Sequence, residues 1–206
     1  MAGAVKPTEP PLWSILVATI PQRMMNVFPR LMLDVITQTE KYGDAIEVLW
    51  LGDNKRWTVG EKRQALLDMA RGKFVNFLDD DDRIAPHFVS RIMPILVDQP
   101  ETHVVVYEQI YTDRSWRPTG GTKHCFYGLE FEYRDEGSVW FGKPAHNMIW
   151  RAEIAKQARF PSKDMGEDVA WVLQASALAT LERQVRIAEV LYFYDWSAEV
   201  TATVTV

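Results

Sequence analysis

The chain has 206 residues, which fits one domain of ordinary size with a substantial core. Apolar residues make up 47% and charged residues 25%, as in a soluble globular protein, and the net charge of −5 gives no overall basic field for nucleic acid. The single cysteine, Cys125, excludes an internal disulfide framework and a cysteine-based zinc site. No run of 18 apolar residues indicates a transmembrane helix, and the default expectation is a reducing, cytoplasmic setting.

The first half of the chain alternates short apolar runs with helical patterns. Residues 1–11 are proline-rich without an apolar signal core, so we expect a flexible tail ahead of a single domain at 12–206. Strands are predicted in four places: 13–19, 46–51, 74–78 and 104–110. Helices are predicted between them: 26–40, 58–72 and 86–97. This alternation predicts an α/β fold in which helices flank a mainly parallel sheet.

Capping residues and prolines indicate where the helices begin. Asn26 can cap the first helix, and Pro29 is tolerated in its first turn. Thr58 and Glu61 have the spacing of a capping box at the start of the second helix. Pro86 suits the first turn of the third helix.

The second half has a different character, with many aromatic residues at 111–141 and no helical period. We expect hairpins and loops there, then a short helix at 151–158, a longer helix at 167–180 and a last strand at 186–194. Four apolar positions predict the buried face of the longer helix: Val169, Val172, Leu173 and Ala177.

Four consecutive acids, Asp79–Asp82, follow the apolar run at 74–78. They are expected at the carboxyl end of a buried strand, the edge where ligands bind in open α/β sheets. Adjacent carboxylates repel one another, and a hard divalent cation such as Mg²⁺ or Mn²⁺ would relieve that repulsion. Two acids at i and i+2 can converge on one ion, which then takes nucleotide phosphates as further ligands. The alternative is a solvated acidic turn.

Four segments of the chain carry a resemblance to a known family. They are Ile15–Pro21, Gly52–Asp53, residues 60–86 and Gly166–Asp168. The third is the most specific, since Gly-x-Lys-Arg, Ala-x-Gly-Lys and Leu-Asp-x-Asp-Asp follow one another at the family's spacing. In these segments the chain resembles the GT-A fold glycosyltransferases, specifically the inverting, family 2-like enzymes. Gln64 departs from the asparagine that is common in the family, and the Gln-x-x-Arg-Trp motif of the processive members is absent.

The resemblance implies a GT-A (Rossmann-like) fold with a nucleotide-binding half at 12–110 and a smaller, mixed β region in an acceptor-binding half at 111–206. It implies a nucleotide-diphosphate sugar donor, most commonly a uridine diphosphate (UDP) sugar, and Mn²⁺ or Mg²⁺ as cofactor. Asp79-x-Asp81 matches the family's DxD motif, in which Asp81 would bind the metal and Asp79 the ribose, or the metal through water.

The resemblance also implies roles for other residues. Asp168 would be the catalytic base with Glu167 as its helper, Asp53 would accept from the nucleobase, and His146 is a further candidate for the metal or the diphosphate. The full set expected at the donor is Thr19, Pro21, Arg23, Asp53, Lys62, Arg63, Asp79, Asp80 and Asp81.

Ordinary structural roles remain open for several of these residues. Glu167 and Asp168 could simply stabilise a helix N-terminus, Asp53 could be a turn residue, and Lys62 could lie on a solvated helix face. His146 could be a packed, hydrogen-bonded histidine. The aromatic rings of the second half could stack on an acceptor sugar or base, or belong to the core.

The expected function is metal-dependent transfer of one sugar, with inversion, to an acceptor hydroxyl on a glycan, a protein or a modified nucleic-acid base. One alternative is a nucleotidyltransferase, which the loop Thr19–Arg23 disfavours because it lacks the glycines of a phosphate-binding loop. The other is a non-catalytic nucleotide-sugar binding protein, which the intact acids disfavour.

Overall fold

The computed structural model describes residues 9–113 and 121–196, which form a ten-stranded sheet with helices packed against it. The strands are β1 Trp13–Thr19, β2 Ile46–Gly52, β3 Phe74–Asp79, β4 Arg83–Ile84, β5 Val104–Asp113, β6 Gly121–Tyr127, β7 Arg134–Asp135, β8 Val139–Gly142, β9 Ile149–Arg151 and β10 Gln184–Trp196. The α-helices are α1 Pro21–Met24, α2 Phe28–Thr39, α3 Val59–Met69, α4 Phe88–Asp98, α5 Ala152–Ala155 and α6 Glu167–Leu178. Two 3₁₀ helices complete the elements, Glu40–Ala45 and Leu181–Arg183.

The parallel part of the sheet contains β1 between β2 and β3. Strands β1 and β3 are buried almost throughout, which is why their sequences are continuous apolar runs rather than alternating ones. The register pairs Thr19 with Gly52 and Ala18 with Asp79, so the three strands end at the same edge. The loops that follow them, which contain most of the residues predicted to bind a donor, therefore meet there.

The rest of the sheet is mixed. Strand β9 pairs antiparallel with both β3 and β5, and β5 continues into an antiparallel pair with β6 and a parallel pair with β10. Strands β6, β8 and β7 form an outer extension, and the two-residue β4 pairs with β10. The predicted α/β architecture, with helices that flank a mainly parallel sheet and a smaller mixed β region, is confirmed.

Two helix starts differ from the predictions. Helix α2 begins after Val27, not at an Asn26 cap, because the chain first forms the short α1 and the Asn26 amide donates back to the Gln22 carbonyl at 3.3 Å. Helix α4 begins after His87 rather than at Pro86. The chain is still extended there, since β4 pairs with β10 just before it. The capping box of α3 is confirmed, with both of its reciprocal hydrogen bonds present.

The predicted buried face of α6 is confirmed at Val172 and wrong at the other three positions. Val169 is 45% exposed, Leu173 is 51% exposed, and Ala177 is exposed as well. The buried side chains of this helix are Glu167, Trp171, Val172 and Ala175. The indole of Trp171 stacks on Phe160 with ring centroids 5.0 Å apart, and burying this large side chain turns the helix away from the predicted face.

The second half forms strands and loops as predicted, with β5 and β10 longer than expected. Residues 1–8 of the N-terminal tail predicted at 1–11 lie outside the described residues, and so does the segment 114–120, which includes Trp116. Among the residues that the structure describes, no helix combines the length and apolar character needed to cross a membrane.

Candidate active site

The four acids occupy the turn that leaves β3 and enters β4. Asp79 is the last residue of β3, and the Asp82 N–H donates to the Asp79 carbonyl at 3.1 Å, which closes the turn. The Tyr192 hydroxyl of β10 accepts from the Asp79 N–H at 3.1 Å and donates to the Asp82 carboxyl at 2.7 Å. The Asp195 N–H also donates to Asp82, at 3.2 Å. The turn is therefore fixed at both ends by the last strand of the sheet.

The loop after β1 supplies the partners of the two middle acids. Arg23 on α1 pairs with Asp80 and, at 2.8 Å, with Asp81. The Thr19 hydroxyl donates to the other oxygen of Asp80 at 2.6 Å. Arg30 on α2 donates to the backbone carbonyls of Asp81 and Asp82 at 3.2 and 3.4 Å. The predicted donor residues Thr19 and Arg23 thus contact the acidic turn directly.

Burial and mutual repulsion disfavour the charged forms of these acids. Burial raises the pKa of Asp81 to about 7, and repulsion from Asp79 and Asp80 adds to this although Arg23 opposes it. Burial also raises the pKa of Asp80, and it raises that of Asp82 well above the usual range. Hence Arg23 alone does not balance the charge of the turn, and an additional cation would be bound favourably.

Asp79 is held differently, between two positively polarised partners. Arg63 on α3 donates to one of its oxygens at 2.5 Å, and His146 Nε2 lies 3.1 Å from the other. Burial alone would raise the pKa of Asp79, but Arg63 and His146 outweigh that effect and hold it well below the usual range. Arg63 also donates to the buried Glu167 at 2.5 Å, so this guanidinium links the acidic turn to the start of α6.

Asp168 lies one residue further along α6 and faces the same site. One of its oxygens accepts from the Val169 N–H at 2.8 Å, and the other is 3.6 Å from His146 Nδ1. Its side chain is 35% exposed, unlike that of Glu167, which is buried. Gly166 precedes the helix with a φ of +66°, a conformation that favours glycine and turns the chain into α6. Thus Asp168 combines solvent access with a fixed orientation.

A second basic residue of α3 reaches the loops after β1 and β2. The buried Lys62 donates from Nζ to the Thr19 carbonyl at 3.2 Å and to Asp53 at 2.9 Å. Asp53 also accepts from the Arg56 and Trp57 N–H groups at 2.6 and 2.8 Å. Desolvation would raise the pKa of Asp53, but these hydrogen bonds outweigh it and lower the pKa to about 2. In the structure Asp53 organises its own turn and anchors Lys62.

These groups surround a cleft of about 850 Å³ at the carboxyl edge of the parallel strands. Nine of the eleven residues predicted for donor binding or catalysis line it: Thr19, Arg23, Lys62, Arg63, Asp79, Asp80, Asp81, Glu167 and Asp168. His146 lines it as well, whereas Pro21, at the start of α1, and Asp53, in its turn, do not. The structure thus gathers residues that are up to about 150 positions apart into a single site.

Several further residues line the cleft, and among them the sequence indicated only the aromatic rings, as side chains that could stack on an acceptor. These further residues are Gln109, Tyr111, Lys123, Tyr127, Tyr133, Asp135, Trp140 and Lys143. The aromatic-rich composition of the segment was the only signal for them. Which rings face the cleft depends on the pairing of β5, β6 and β8, and no local pattern encodes that pairing.

The acidic residues of the cleft fit a divalent cation that is bound partly by the protein and partly by the phosphates of a substrate. Within the described part of the chain, no three His, Cys, Asp or Glu side chains converge to form a protein-only cage. Mg²⁺ and Mn²⁺ are commonly bound by one or two carboxylates together with substrate phosphates, and Asp81 offers such a carboxylate beside the cleft. Both oxygens of Asp79 and both nitrogens of His146 already face partners, so direct ligation by either would require a contact to be exchanged.

The fold resembles those of solved structures. S. aureus TarS 1-349 matches with a TM-score of 0.61 and 16% identity, covering 89% of this chain and 60% of that one. The same protein in complex with UDP-GlcNAc gives a TM-score of 0.58 at 15% identity, covering 94% and 61%. Mannosyltransferase PcManGT from Pyrobaculum calidifontis, in complex with GDP-Man and Mn²⁺, gives 0.54 at 12%, covering 94% and 59%. The chain thus spans about 60% of the length of these chains.

The fold and the acidic turn at the end of its third parallel strand define a GT-A protein. The model of the family described as "Glycosyl transferase family 2" matches residues 32–159, more than half of the chain. The chain therefore belongs to glycosyl transferase family 2, and the resemblance found in the sequence is confirmed. No curated protein sequence matches it.

Proposed function

We propose that this protein is a glycosyltransferase that moves one sugar from a nucleotide-diphosphate sugar, specifically a UDP-sugar, to an acceptor hydroxyl. The observation that carries the proposal is a pair of contact networks that border one cleft. In the first, Arg23 pairs with Asp80 and Asp81. In the second, His146 lies between Asp79 and Asp168. A donor-binding turn and an exposed carboxylate that can act as a base thus border the same space. Family membership and the nucleotide-sugar complexes of the structural neighbours agree with this assignment.

Donor binding in this proposal uses the residues around the acidic turn. The Lys62 ammonium, buried beneath the loops after β1 and β2, and the Arg23 guanidinium supply positive charge for a diphosphate. Asp81 and, through water, Asp79 would hold Mn²⁺ or Mg²⁺. When bound, such an ion would supply positive charge that stabilises the departing diphosphate.

In the transfer step, Asp168 removes the proton of the acceptor hydroxyl while the acceptor oxygen attacks the anomeric carbon. The bond between that carbon and the diphosphate oxygen breaks, and its electron pair leaves with the nucleoside diphosphate. Attack from the face opposite the leaving group inverts the anomeric centre. His146 keeps the Asp168 carboxylate turned toward the cleft, and Arg63 fixes Glu167 and Asp79 on either side.

The donor site can be tested by calorimetric titration of UDP with and without Mn²⁺. We expect Mn²⁺-dependent binding to the wild type and a loss of roughly 10-fold or more in that affinity for Asp81→Asn. Removing a residue that hydrogen-bonds a metal ligand typically lowers metal affinity by about 10-fold or more, and removing the ligand itself should lower it at least as much. Asp98→Asn, an exposed acid at the end of α4, is the matched control and should bind like the wild type. If no nucleoside diphosphate binds under either condition, the proposed function is wrong.

A further inference from the structure

Three aromatic side chains form one wall of the cleft, which we call the aromatic wall: Tyr127 on β6, Tyr133 immediately before β7, and Trp140 on β8. The Trp140 ring lies between the other two, with centroids 5.3 Å from Tyr127 and 5.7 Å from Tyr133. Tyr133 is 46% exposed. The wall therefore presents a partly open aromatic surface to the cleft, and its position is fixed by the pairing of β6 with β8.

The aromatic wall lies close to the proposed catalytic base. Both tyrosines line the cleft together with Asp168, and burial raises the pKa of Tyr133 with a further contribution from the Asp168 charge. The donor residues Thr19, Lys62 and Asp81 line the same cleft. A molecule resting on the wall would therefore share one cleft with the base and the donor.

Gly142 leaves the space that the Trp140 ring of the aromatic wall occupies. A Cβ added there would lie 2.1 Å from Cη2 and 2.5 Å from Cζ3 of Trp140, so the indole rests directly on this glycine. Gly142 is buried at the end of β8, and its carbonyl accepts from the Gly128 N–H at 3.0 Å. Any side chain at 142 would have to push the Trp140 ring out of its present position.

The charges around the wall are paired. Lys123 pairs with Asp135, and Lys143 donates to Glu132 at 2.9 Å and to the Leu129 carbonyl at 3.0 Å. Nearby, two arginines are paired as well: Arg134 with Glu136, and Arg186 with Glu130. A phosphate-rich partner is recognised by clustered unpaired cations, and in the described residues this side of the cleft offers balanced pairs instead. The surroundings thus favour a neutral ligand with hydroxyl groups, which can share hydrogen bonds with paired ions.

We propose that the aromatic wall is the acceptor site and that it binds a neutral pyranose ring of a saccharide, stacked on Trp140 with one hydroxyl directed at Asp168. This inference rests on the proposed function and specifies its acceptor. The C–H groups on one face of a pyranose carry partial positive charge and match the negative face of an aromatic ring. The hydroxyls at the ring edge meet the Lys123–Asp135 and Lys143–Glu132 pairs.

The test is saturation-transfer NMR with four neutral trisaccharides, namely maltotriose, mannotriose, cellotriose and chitotriose, in the presence of UDP and Mn²⁺. We expect at least one to receive saturation at its ring C–H protons. Its affinity should fall about tenfold or more in Trp140→Ala, and also fall in Gly142→Ala, which keeps the indole but displaces it. Trp50→Ala on β2, a half-exposed tryptophan outside the cleft, is the control and should leave the signal unchanged.

UDP affinity measured on the same samples separates the two proposals. If UDP binds and no trisaccharide gives a signal, or the signal survives in Trp140→Ala with unaltered strength, the acceptor assignment is overturned while the donor site stands. Binding of a single-stranded 12-nucleotide DNA in place of the trisaccharides would overturn it in the same way. If the wild type fails to bind UDP, the proposed function falls and the acceptor assignment falls with it.

Discussion

Four aspartates that are adjacent in sequence have four different environments in the structure. Asp79 lies between Arg63 and His146, Asp80 and Asp81 share Arg23, and Asp82 points away from the cleft toward Tyr192. Their pKa values accordingly diverge, with Asp79 lowered and the other three raised. Residue type alone therefore predicts that a cation binds at this turn, whereas the role of each acid depends on partners that only the fold supplies.

Asp168→Asn should separate chemistry from donor binding. The amide keeps the shape of the side chain but cannot accept the acceptor's proton, so we expect turnover to fall by roughly 10²- to 10⁴-fold. UDP affinity in the presence of Mn²⁺ should stay within about twofold of wild type, because His146 separates Asp168 from Asp79 of the acidic turn. The measurement is initial-rate release of UDP from a UDP-sugar that the wild type turns over, with calorimetry of UDP on the same protein.

Glu182→Gln, in the 3₁₀ helix at 181–183, is the control for loss of a carboxylate and should turn over like the wild type. A wild-type rate in Asp168→Asn would mean that another group removes the proton. Equal losses of rate and UDP affinity would instead assign Asp168 to the donor site.

At the scale of elements, α3 positions the two buried cations of the site. Its capping box at Thr58 sets where the helix begins, and a Cβ on Gly60 would lie only 1.9 Å from the Pro161 carbonyl oxygen. This close contact brings the helix against the loop that leads into α6, so that Lys62 and Arg63 reach the acids on both sides. Neither side chain is a solvated surface charge, which was the structural alternative considered for Lys62.

Strand β10 holds the acidic turn through the hydroxyl of Tyr192, and Tyr192→Phe tests that role. The substitution keeps the ring but removes the hydroxyl that joins the Asp79 N–H to the Asp82 carboxyl. Because Asp82 is buried and loses a partner, we expect the free energy of unfolding in urea to fall by about 1–3 kcal/mol. We also expect weaker Mn²⁺-dependent UDP binding with unchanged metal-independent binding, since the turn loses its fixed position.

Tyr42→Phe, in the 3₁₀ helix at 40–45, removes a hydroxyl elsewhere and serves as the comparison. A stability loss in Tyr192→Phe without any change in UDP binding would show that the hydroxyl stabilises the fold but does not position the acids.

The sequence predicted the parallel strands β1, β2 and β3 and the start of α3 well because their signals are local. Strand β1 was predicted with its observed bounds, and the Thr58–Glu61 capping box formed as expected. The failures have non-local causes: β4 forms only because β10 pairs with it, about 110 residues later in the chain, and it delays the start of α4. For the same reason the contact of Tyr192 with the acidic turn was not predictable.

On the scale of the whole molecule, the carboxyl edge of the parallel sheet contributes to the site, and the opposite edge contributes to stability. The carboxyl edge carries the cleft, while the opposite edge is joined by polar contacts around Glu47. Its carboxylate accepts from the Ser14 hydroxyl at 2.6 Å and from the Arg71 N–H and Nε at 2.5 and 3.0 Å. The Ser14 hydroxyl in turn accepts from the Gly72 N–H at 2.7 Å. These contacts join β1, β2 and the turn before β3 without reaching the cleft.

Glu47→Gln should therefore change stability and leave the site intact. Burial would raise the pKa of Glu47, but the hydrogen bonds from Ser14 and Arg71 outweigh it and lower the pKa below its ordinary value of 4.5. Folding thus favours the ionised form, and this contribution to stability is complete above the unfolded pKa near 4.5 and is lost as pH falls through the lower folded value. Urea unfolding between pH 3 and 7 should show a shallower acid decline in Glu47→Gln, together with a loss of about 1–2 kcal/mol at pH 7.

The Mn²⁺-dependent UDP affinity of Glu47→Gln should match wild type at pH 7, because the substitution lies at the edge opposite the acidic turn. The matched control is Glu40, an exposed acid at the start of a 3₁₀ helix, and Glu40→Gln should leave the acid profile unchanged. An acid decline of equal steepness in Glu47→Gln and wild type would show that other carboxylates govern acid unfolding. A parallel loss of UDP affinity would show that the two edges are coupled through the strands, and that strand alignment itself sets the geometry of the cleft.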